Sequence, residues 1–125
     1  MMNVYMDGIF DLYHAGHVEA IQKCKDLTFG GNVIIGIVGD DDAKQYKRKP
    51  IYPENERCML ISNNRDVDKI LCPAPLVVTE EFMNLHKIDL VVHSFADDAD
   101  FEKQKHFFKD PIRLHKFQRI SYSNL

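Results

Sequence analysis

Short apolar, β-branched runs alternate with helix-length segments along this chain, and few folds accept that order. After the Gly30-Gly31 turn, Asn32 to Val38 is apolar, β-branched and too short for a helix, so it reads as a buried parallel strand. Val4 to Met6, Val67 to Leu71 and Ile88 to Val92 read the same way, Pro73 and Pro75 close the third, and Leu114 to Gln118 is a candidate fifth strand. Between the first two strands Val18, Ile21, Cys24 and Leu27 recur at three-residue steps, one apolar face of a helix beginning at His14 or Ala15. A short helix is expected from about Asp41 to Tyr46 with acids in its first turn, and Lys47-Arg48-Lys49-Pro50 breaks it as a basic loop. Pro53, Glu54 and Glu56 open the next helix, with Cys58, Leu60 and Ile61 inside. Thr79 caps one opened by Glu80 and Glu81, with Phe82, Met83 and Leu85 as its apolar side, and Asp98 or Asp100 precedes another through Phe108. Strands alternating with helices imply βαβ units, right-handed crossovers and an α/β fold with a parallel sheet flanked by helices.

At 125 residues the chain is expected to form a single domain over residues 1–125. A formal net charge of −3 argues against a general nucleic-acid binder. No apolar stretch approaches the length of a membrane span, and no signal-peptide pattern opens the chain. Cys24, Cys58 and Cys72 are odd in number, widely spaced and without C-x-x-C, so they read as buried free thiols of a reducing, cytoplasmic compartment.

Chemistry concentrates in the run Asp7-Gly8-Ile9-Phe10-Asp11-Leu12-Tyr13-His14-Ala15-Gly16-His17, which joins the first strand to the first helix. His14 and His17 stand three apart, so both imidazoles lie on one face of the helix's first turn. A helix N-terminus carries unpaired N–H groups and a partial positive charge, which suits phosphate. Gly16 between the histidines has no side chain to hold a ligand off the backbone. Histidines at this spacing also occur as core residues or as half of a metal site. The strand–loop–helix setting behind Asp7, Gly8 and Asp11 favours phosphate. Zinc needs a third ligand, and His86, His93, His106 and His115 offer no spacing that supplies one, so no metal ligands are assigned. In parallel sheets ligands bind beyond the carboxyl ends of the strands. Asp7 to His17, Gly39 to Lys49, Leu76 to Thr79 and His93 to Asp98 all fall on that edge.

These residues make the chain similar to the cytidylyltransferases of the HxGH nucleotidyltransferase superfamily, above all to the phosphocholine cytidylyltransferase catalytic domain. The matching segments are Tyr5 to His17, Glu54-Asn55-Glu56-Arg57, Arg65-Asp66-Val67-Asp68, Cys72-Pro73-Ala74-Pro75, Thr79-Glu80-Glu81-Phe82 and Lys87-Ile88-Asp89. The resemblance implies a Rossmann-like fold, a homodimer, and CMP transfer from CTP to a phosphorylated alcohol with Mg²⁺ and release of pyrophosphate. It implies catalytic roles for His14, His17 and Lys47. Nucleotide contacts would come from Gly8, Ile9, Phe10, His14, Gly16, His17, Arg119 and Ser121. Contacts to the second substrate would come from Asp7, Lys47, Arg65 and Leu76, and Asp11 would order the motif loop. Beside these stand plainer roles: Lys47 to Lys49 as a solvated basic loop, Arg65 as an interface or salt-bridge residue, Asp11 as a helix cap.

Three positions depart from the family pattern. Leu76 replaces a tryptophan after Ala74-Pro75, which removes an aromatic face for cation–π attraction. His93-Ser94-Phe95 stands where the family has histidine and an aspartate pair. The closing R-T-E-G-I-S-T signature survives only within Gln118 to Ser123. There Arg119 keeps the phosphate arginine, or Lys116 takes that place and Arg119 replaces glycine; the first alignment is preferred. Phe10, Tyr13, Tyr46 and Phe95 are candidates to rebuild part of a choline cage. The chain ends at Leu125, where the family continues into another helix, and it lacks a membrane-binding tail, so it reads as a shortened or a minimal, diverged member. An active transferase is the favoured expectation. The alternatives are a non-catalytic or specificity-shifted nucleotide binder and, last, a metal-binding or structural dimer.

Overall fold

The computed structural model describes residues 1–46 and 49–121, with only the backbone of Tyr46. The elements run β1 (Asn3–Gly8), α1 (Ala15–Leu27), β2 (Asn32–Val38), α2 (Asp40–Tyr46), α3 (Glu54–Ser62), β3 (Lys69–Ala74), α4 (Glu80–Leu85), β4 (Leu90–Ser94) and α5 (Asp98–Gln104). A 3-10 turn (Lys105–Phe108), α6 (Lys109–Arg113) and β5 (Phe117–Ile120) complete the order. The strands form one sheet in the order β3-β2-β1-β4-β5, and every neighbouring pair is parallel. This is the parallel α/β arrangement that the alternation predicts and the Rossmann-like fold that the resemblance implies.

Side chains along a strand point alternately to its two faces, and the core divides accordingly. Val4, Met6, Val33, Ile35, Ile37 and Val92 face α1 and α3 through Ala20, Ile21, Cys24 and Ile61. Tyr5, Ile34 and Val91 face the other way, onto Met83 of α4 and onto Val78, Ile88 and Phe108. The order of strands reverses between β1 and β4, so a crevice opens where their carboxyl ends part.

Several boundaries differ from the sequence expectation. β3 begins at Lys69 and passes through Pro73 to Ala74, whereas the apolar run alone predicts Val67 to Leu71. It is the edge strand and its pairing with β2 shifts register between Gly36 and Val38, so a missing N–H there costs the ladder little. Asp68 precedes the strand and accepts the Val33 N–H with its carboxylate. α5 ends at Gln104 instead of running through Phe108. The unforeseen α6 carries Pro111 in its first turn, where no intrahelical N–H bond is lost. With α6 occupying 109–113, the fifth strand moves on to Phe117–Ile120. Val18, Leu60 and Leu85, expected on apolar helix faces, are exposed. Cys24 is buried, while Cys58 and Cys72 are half-buried; all three are free thiols.

Candidate active site

A cavity of about 270 Å³ fills the crevice between β1 and β4. Its floor is Met6, Asp7 and Gly8 from β1, Val38 from β2, and His93 and Ser94 from β4; Leu76 and Pro50 close its rim.

The β1–α1 loop is shaped by local contacts. Phe10 and Leu12 both hold left-handed backbone, with φ of 54° and 52°, a conformation that costs non-glycine residues about 1 kcal/mol or more each. Phe10 is thereby turned inward and buried, and Gly8 makes room for it: a Cβ there would stand 2.9 Å from its ring. The Phe10 ring meets the His17 imidazole edge to face, with centroids 5.3 Å apart.

His14 caps α1, and the cap is reciprocal. Its Nδ1 accepts the Gly16 N–H at 2.9 Å, and the His14 N–H is donated to Nδ1 of His17 at 3.2 Å. The two imidazoles stack with centroids 4.0 Å apart. Because both Nδ1 atoms accept, each neutral ring must carry its proton on Nε2. Burial, and then the neighbouring His14, holds His17 down to about 4, so at neutral pH it is an uncharged Nε2–H donor. The Gly16 N–H, expected to face a ligand, is given to His14 instead, so the outward donors here are imidazole N–H groups.

Asp7 stands beside His93 at the carboxyl ends of β1 and β4. Its carboxylate, 5% exposed, lies 3.0 Å from Nδ1 of His93. The His93 ring packs on Phe95 and Phe108, each at 4.8 Å between centroids. Phe107, Phe108 and Gln104 complete that wall. Of the aromatics considered for a choline cage, Phe10 lines the cavity, Tyr13 stacks parallel to His17 at 5.8 Å, and Phe95 braces His93. The Tyr46 side chain lies outside the described residues.

Asp11 orders a neighbouring segment. Its two carboxylate oxygens accept the N–H groups of Ile51 at 2.8 Å and Tyr52 at 3.0 Å. It is therefore no cap for α1, whose N-cap is His14.

Arg57 ends the Glu54-Asn55-Glu56-Arg57 segment, to which the sequence gives no role, and the structure gives it a central one. Its guanidinium is 0% exposed and donates to the carbonyls of Ile9 and Val38, each at 2.8 Å, and of Tyr52 at 3.0 Å. An ion pair to Asp40 at 2.7 Å engages a fourth N–H. Three chain segments, two of which border the cavity at Ile9 and Val38, are thus tied to one planar fork. The available sequence signal is a lone arginine one turn into an amphipathic helix, which pattern cannot distinguish from a solvated one. His93, which the sequence sets on the ligand-binding edge without a role, gains its partner only when the neighbouring strand brings Asp7 to it.

The remaining expected residues are dispersed. Gly8, Ile9, Phe10, His17, Asp7 and Leu76 line the cavity, with His14 and Gly16 one turn away through the cap. Arg119 instead pairs with Asp98 at 3.1 Å and lies over the Phe101 ring at 4.6 Å. Ser121 is exposed, and its carbonyl accepts from the Lys23 ammonium. Arg65 lines a separate groove with Tyr13, Val18, Leu60, Asn63 and Asn64. Lys47 falls outside the described residues. Among the described residues no three His, Cys, Asp or Glu side chains gather to hold a metal ion. No helix among them is long and apolar enough to cross a membrane.

Comparison with known proteins agrees with this geometry. Residues 5–121 match the family model described as cytidylyltransferase-like. Choline-phosphate cytidylyltransferase 2 of Arabidopsis thaliana is 37% identical over 99 residues, covering 79% of this chain and 33% of that protein. Choline-phosphate cytidylyltransferase A of Homo sapiens is 38% identical over 92 residues, 74% of this chain and 25% of that one. The ethanolamine-phosphate cytidylyltransferase of Arabidopsis thaliana is 35% identical over 119 residues, 92% of this chain and 28% of that protein. The chain therefore spans a quarter to a third of the length of these curated relatives. Among solved structures, the lipopolysaccharide core biosynthesis protein from Thermoplasma volcanium GSS1 superposes with a TM-score of 0.73 at 28% identity, covering 99% of both chains.

Proposed function

This chain belongs to the cytidylyltransferase-like family, and we propose that it transfers CMP from CTP to a phosphorylated alcohol of the phosphocholine or phosphoethanolamine type, releasing pyrophosphate. The reciprocal imidazole cap carries the proposal. Two neutral rings, each locked with Nε2 as its donor, stand beside the cavity at the start of α1. That arrangement suits a triphosphate whose charge grows as pyrophosphate departs. A phosphate oxygen of the alcohol attacks the α-phosphorus in line, the bond to pyrophosphate breaks, and no covalent enzyme intermediate forms. His14 and His17 donate to the triphosphate, and Lys47, next in sequence after α2, adds a cation. Gly8, Ile9, Phe10 and Gly16 border the nucleotide.

Asp7 and His93 form the polar end of the opposite wall, where the alcohol would sit against Leu76. Arg119 and Ser121 reach the nucleotide only by leaving their present partners. Mg²⁺ enters with the nucleotide: the nearby acids are engaged, Asp7 on His93, Asp11 on backbone N–H groups and Asp40 on Arg57, which fits a cation carried by phosphates and water. Bound there, it would neutralise charge on the departing pyrophosphate.

We assign the groove holding Arg65 to contact with a second copy of the chain. Exposed Val18 and Leu60 line it, and one cytoplasmic compartment suits three free thiols. Light scattering tests the dimer.

The activity is tested by pyrophosphate release with Mg²⁺, pairing each ribonucleoside triphosphate with phosphocholine, phosphoethanolamine and glycerol 3-phosphate, and using a His14→Ala/His17→Ala blank. CTP with phosphocholine or phosphoethanolamine should exceed the blank. Silence in every pairing from folded protein, or turnover only with another nucleotide, would overturn the proposal.

A further inference from the structure

Two of the three thiols meet where α3 packs on β3. Cys58 stands in the second turn of α3 and Cys72 in β3, both half-buried against one apolar cluster. Cys72 Sγ lies 3.8 Å from the carbonyl oxygen of Glu54. That carbonyl is one helical turn before Cys58, and side chains on a helix lean toward its N-terminus. The Cys58 thiol therefore leans over the place where Cys72 arrives, close enough to act on the Cys72 thiol. Neither lines the cavity or enters the proposed chemistry. Cys24, by contrast, is sealed in the core with its thiol on the Met6 sulfur.

We propose that Cys58 and Cys72 form an intramolecular disulfide on exposure to a low-molecular-weight disulfide such as oxidised glutathione, clamping α3 onto the edge strand. The Cys58 thiolate attacks one sulfur of the oxidant, forming a mixed disulfide and releasing one thiolate. The Cys72 thiolate then attacks the Cys58 sulfur, closing the protein bond and releasing the second. The protein loses two electrons and two protons, and the oxidant becomes two thiols. Burial, and then Cys58, pushes the Cys72 thiol up to about 11, which makes Cys58 the point of entry and Cys72 the resolving sulfur. Arg57 immediately precedes Cys58 and holds the Ile9 and Val38 carbonyls, so a fixed α3 also fixes the border of the cavity.

The test incubates the full chain with oxidised glutathione, quenches with acid, counts thiols after denaturation and measures intact mass. Two of three thiols should disappear, with the mass falling by a pair of hydrogens and no glutathione retained. The disulfide closes a loop of about fifteen residues, so the melting temperature should rise by roughly 10 °C and return with dithiothreitol. Cys72→Ser should instead retain glutathione on Cys58, and Cys58→Ser should keep both remaining thiols reduced. Three surviving thiols, a persistent mixed disulfide on the unaltered chain, or a bond between two chains would overturn the proposal. A cross-link that forms without raising the melting temperature would remove the clamp.

Discussion

His14 and His17 hold each other across three residues of sequence, whereas His93 reaches Asp7 across 86 and Arg119 reaches Asp98 across 21. The wall of the cavity at β1 and α1 is thus a local object: a loop with two left-handed residues, a reciprocal cap and a ring packed on its own helix. The wall at β4 exists only once strands distant in sequence lie side by side. Local geometry gives the imidazole donors at the start of α1 one orientation regardless of what surrounds them. The opposite wall can change composition, as at Leu76 and Ser94, without disturbing those donors. If the proposed transfer holds, a change of alcohol is open to this fold at little cost to the donors at α1.

Arg57 is the place to break the contrast, because it ties the local wall to distant segments. Arg57→Ala strips buried carbonyls of Ile9 and Val38 of their donor and leaves a cavity, and should cost about 3–4 kcal/mol of stability in urea unfolding. Arg57→Lys should recover little, since a point charge cannot serve three carbonyls and Asp40 together. A loss under about 1 kcal/mol would show that the loop keeps its shape unaided.

On the local wall itself, His17→Ala should lower kcat by about 100- to 1000-fold, about 3 kcal/mol in the barrier, through loss of one donor to the developing charge. Stability should fall by only about 1 kcal/mol, the value of one cap contact. An unchanged kcat would end the donor role.

The distant wall should answer differently. His93→Ala leaves the buried Asp7 carboxylate without its imidazole and should raise the KM for the alcohol about tenfold. Nucleotide binding, read by calorimetry, should stay within about twofold, since the two walls do not share these partners. Equal losses for both substrates would dissolve the division between walls.

The same division explains what can be read from the residues alone. Asp7 to His17 is legible as a strand end, loop and helix start because those are short-range and follow from spacing. The order of elements is legible too, since alternation and β-branching act locally. Arg57 is not, because burial of an arginine is decided by carbonyls from the loop after β1, from β2 and from the segment before α3. Arg65 shows the converse: a motif match puts it near substrate, while the fold sets it in another groove. The boundaries after Gln104 slip because the chain passes through a 3-10 turn into α6, whose Pro111 sits where a helix tolerates it.

The cap also has a signature in pH. His17 is held down to about 4 in the folded chain against 6.5 unfolded, through burial first and His14 second. As pH falls below 6.5 the unfolded chain takes up a proton that the folded chain refuses, so stability declines from about 6.5 toward 4 and this contribution is flat on either side. His17→Gln should flatten the decline between about pH 6.5 and 5, where few carboxylates titrate. An identical slope in both proteins would mean that His17 is protonated in the fold.

The smallest effect belongs to Arg119. Its partner Asp98 is exposed, the acid side chain at 95%, and such pairs contribute about 0–1 kcal/mol. Asp98→Asn should therefore leave the melting temperature within about 2 °C. The guanidinium also rests on the Phe101 ring, which holds it at β5 even without the acid. If Arg119 swings to a phosphate during turnover, Asp98 is a competitor for it, and its removal should tighten CTP by about two- to threefold at low salt and hardly at high salt. Unaltered affinity at both salt concentrations would mean that Arg119 stays on its aromatic seat and that the triphosphate is held from the α1 side alone.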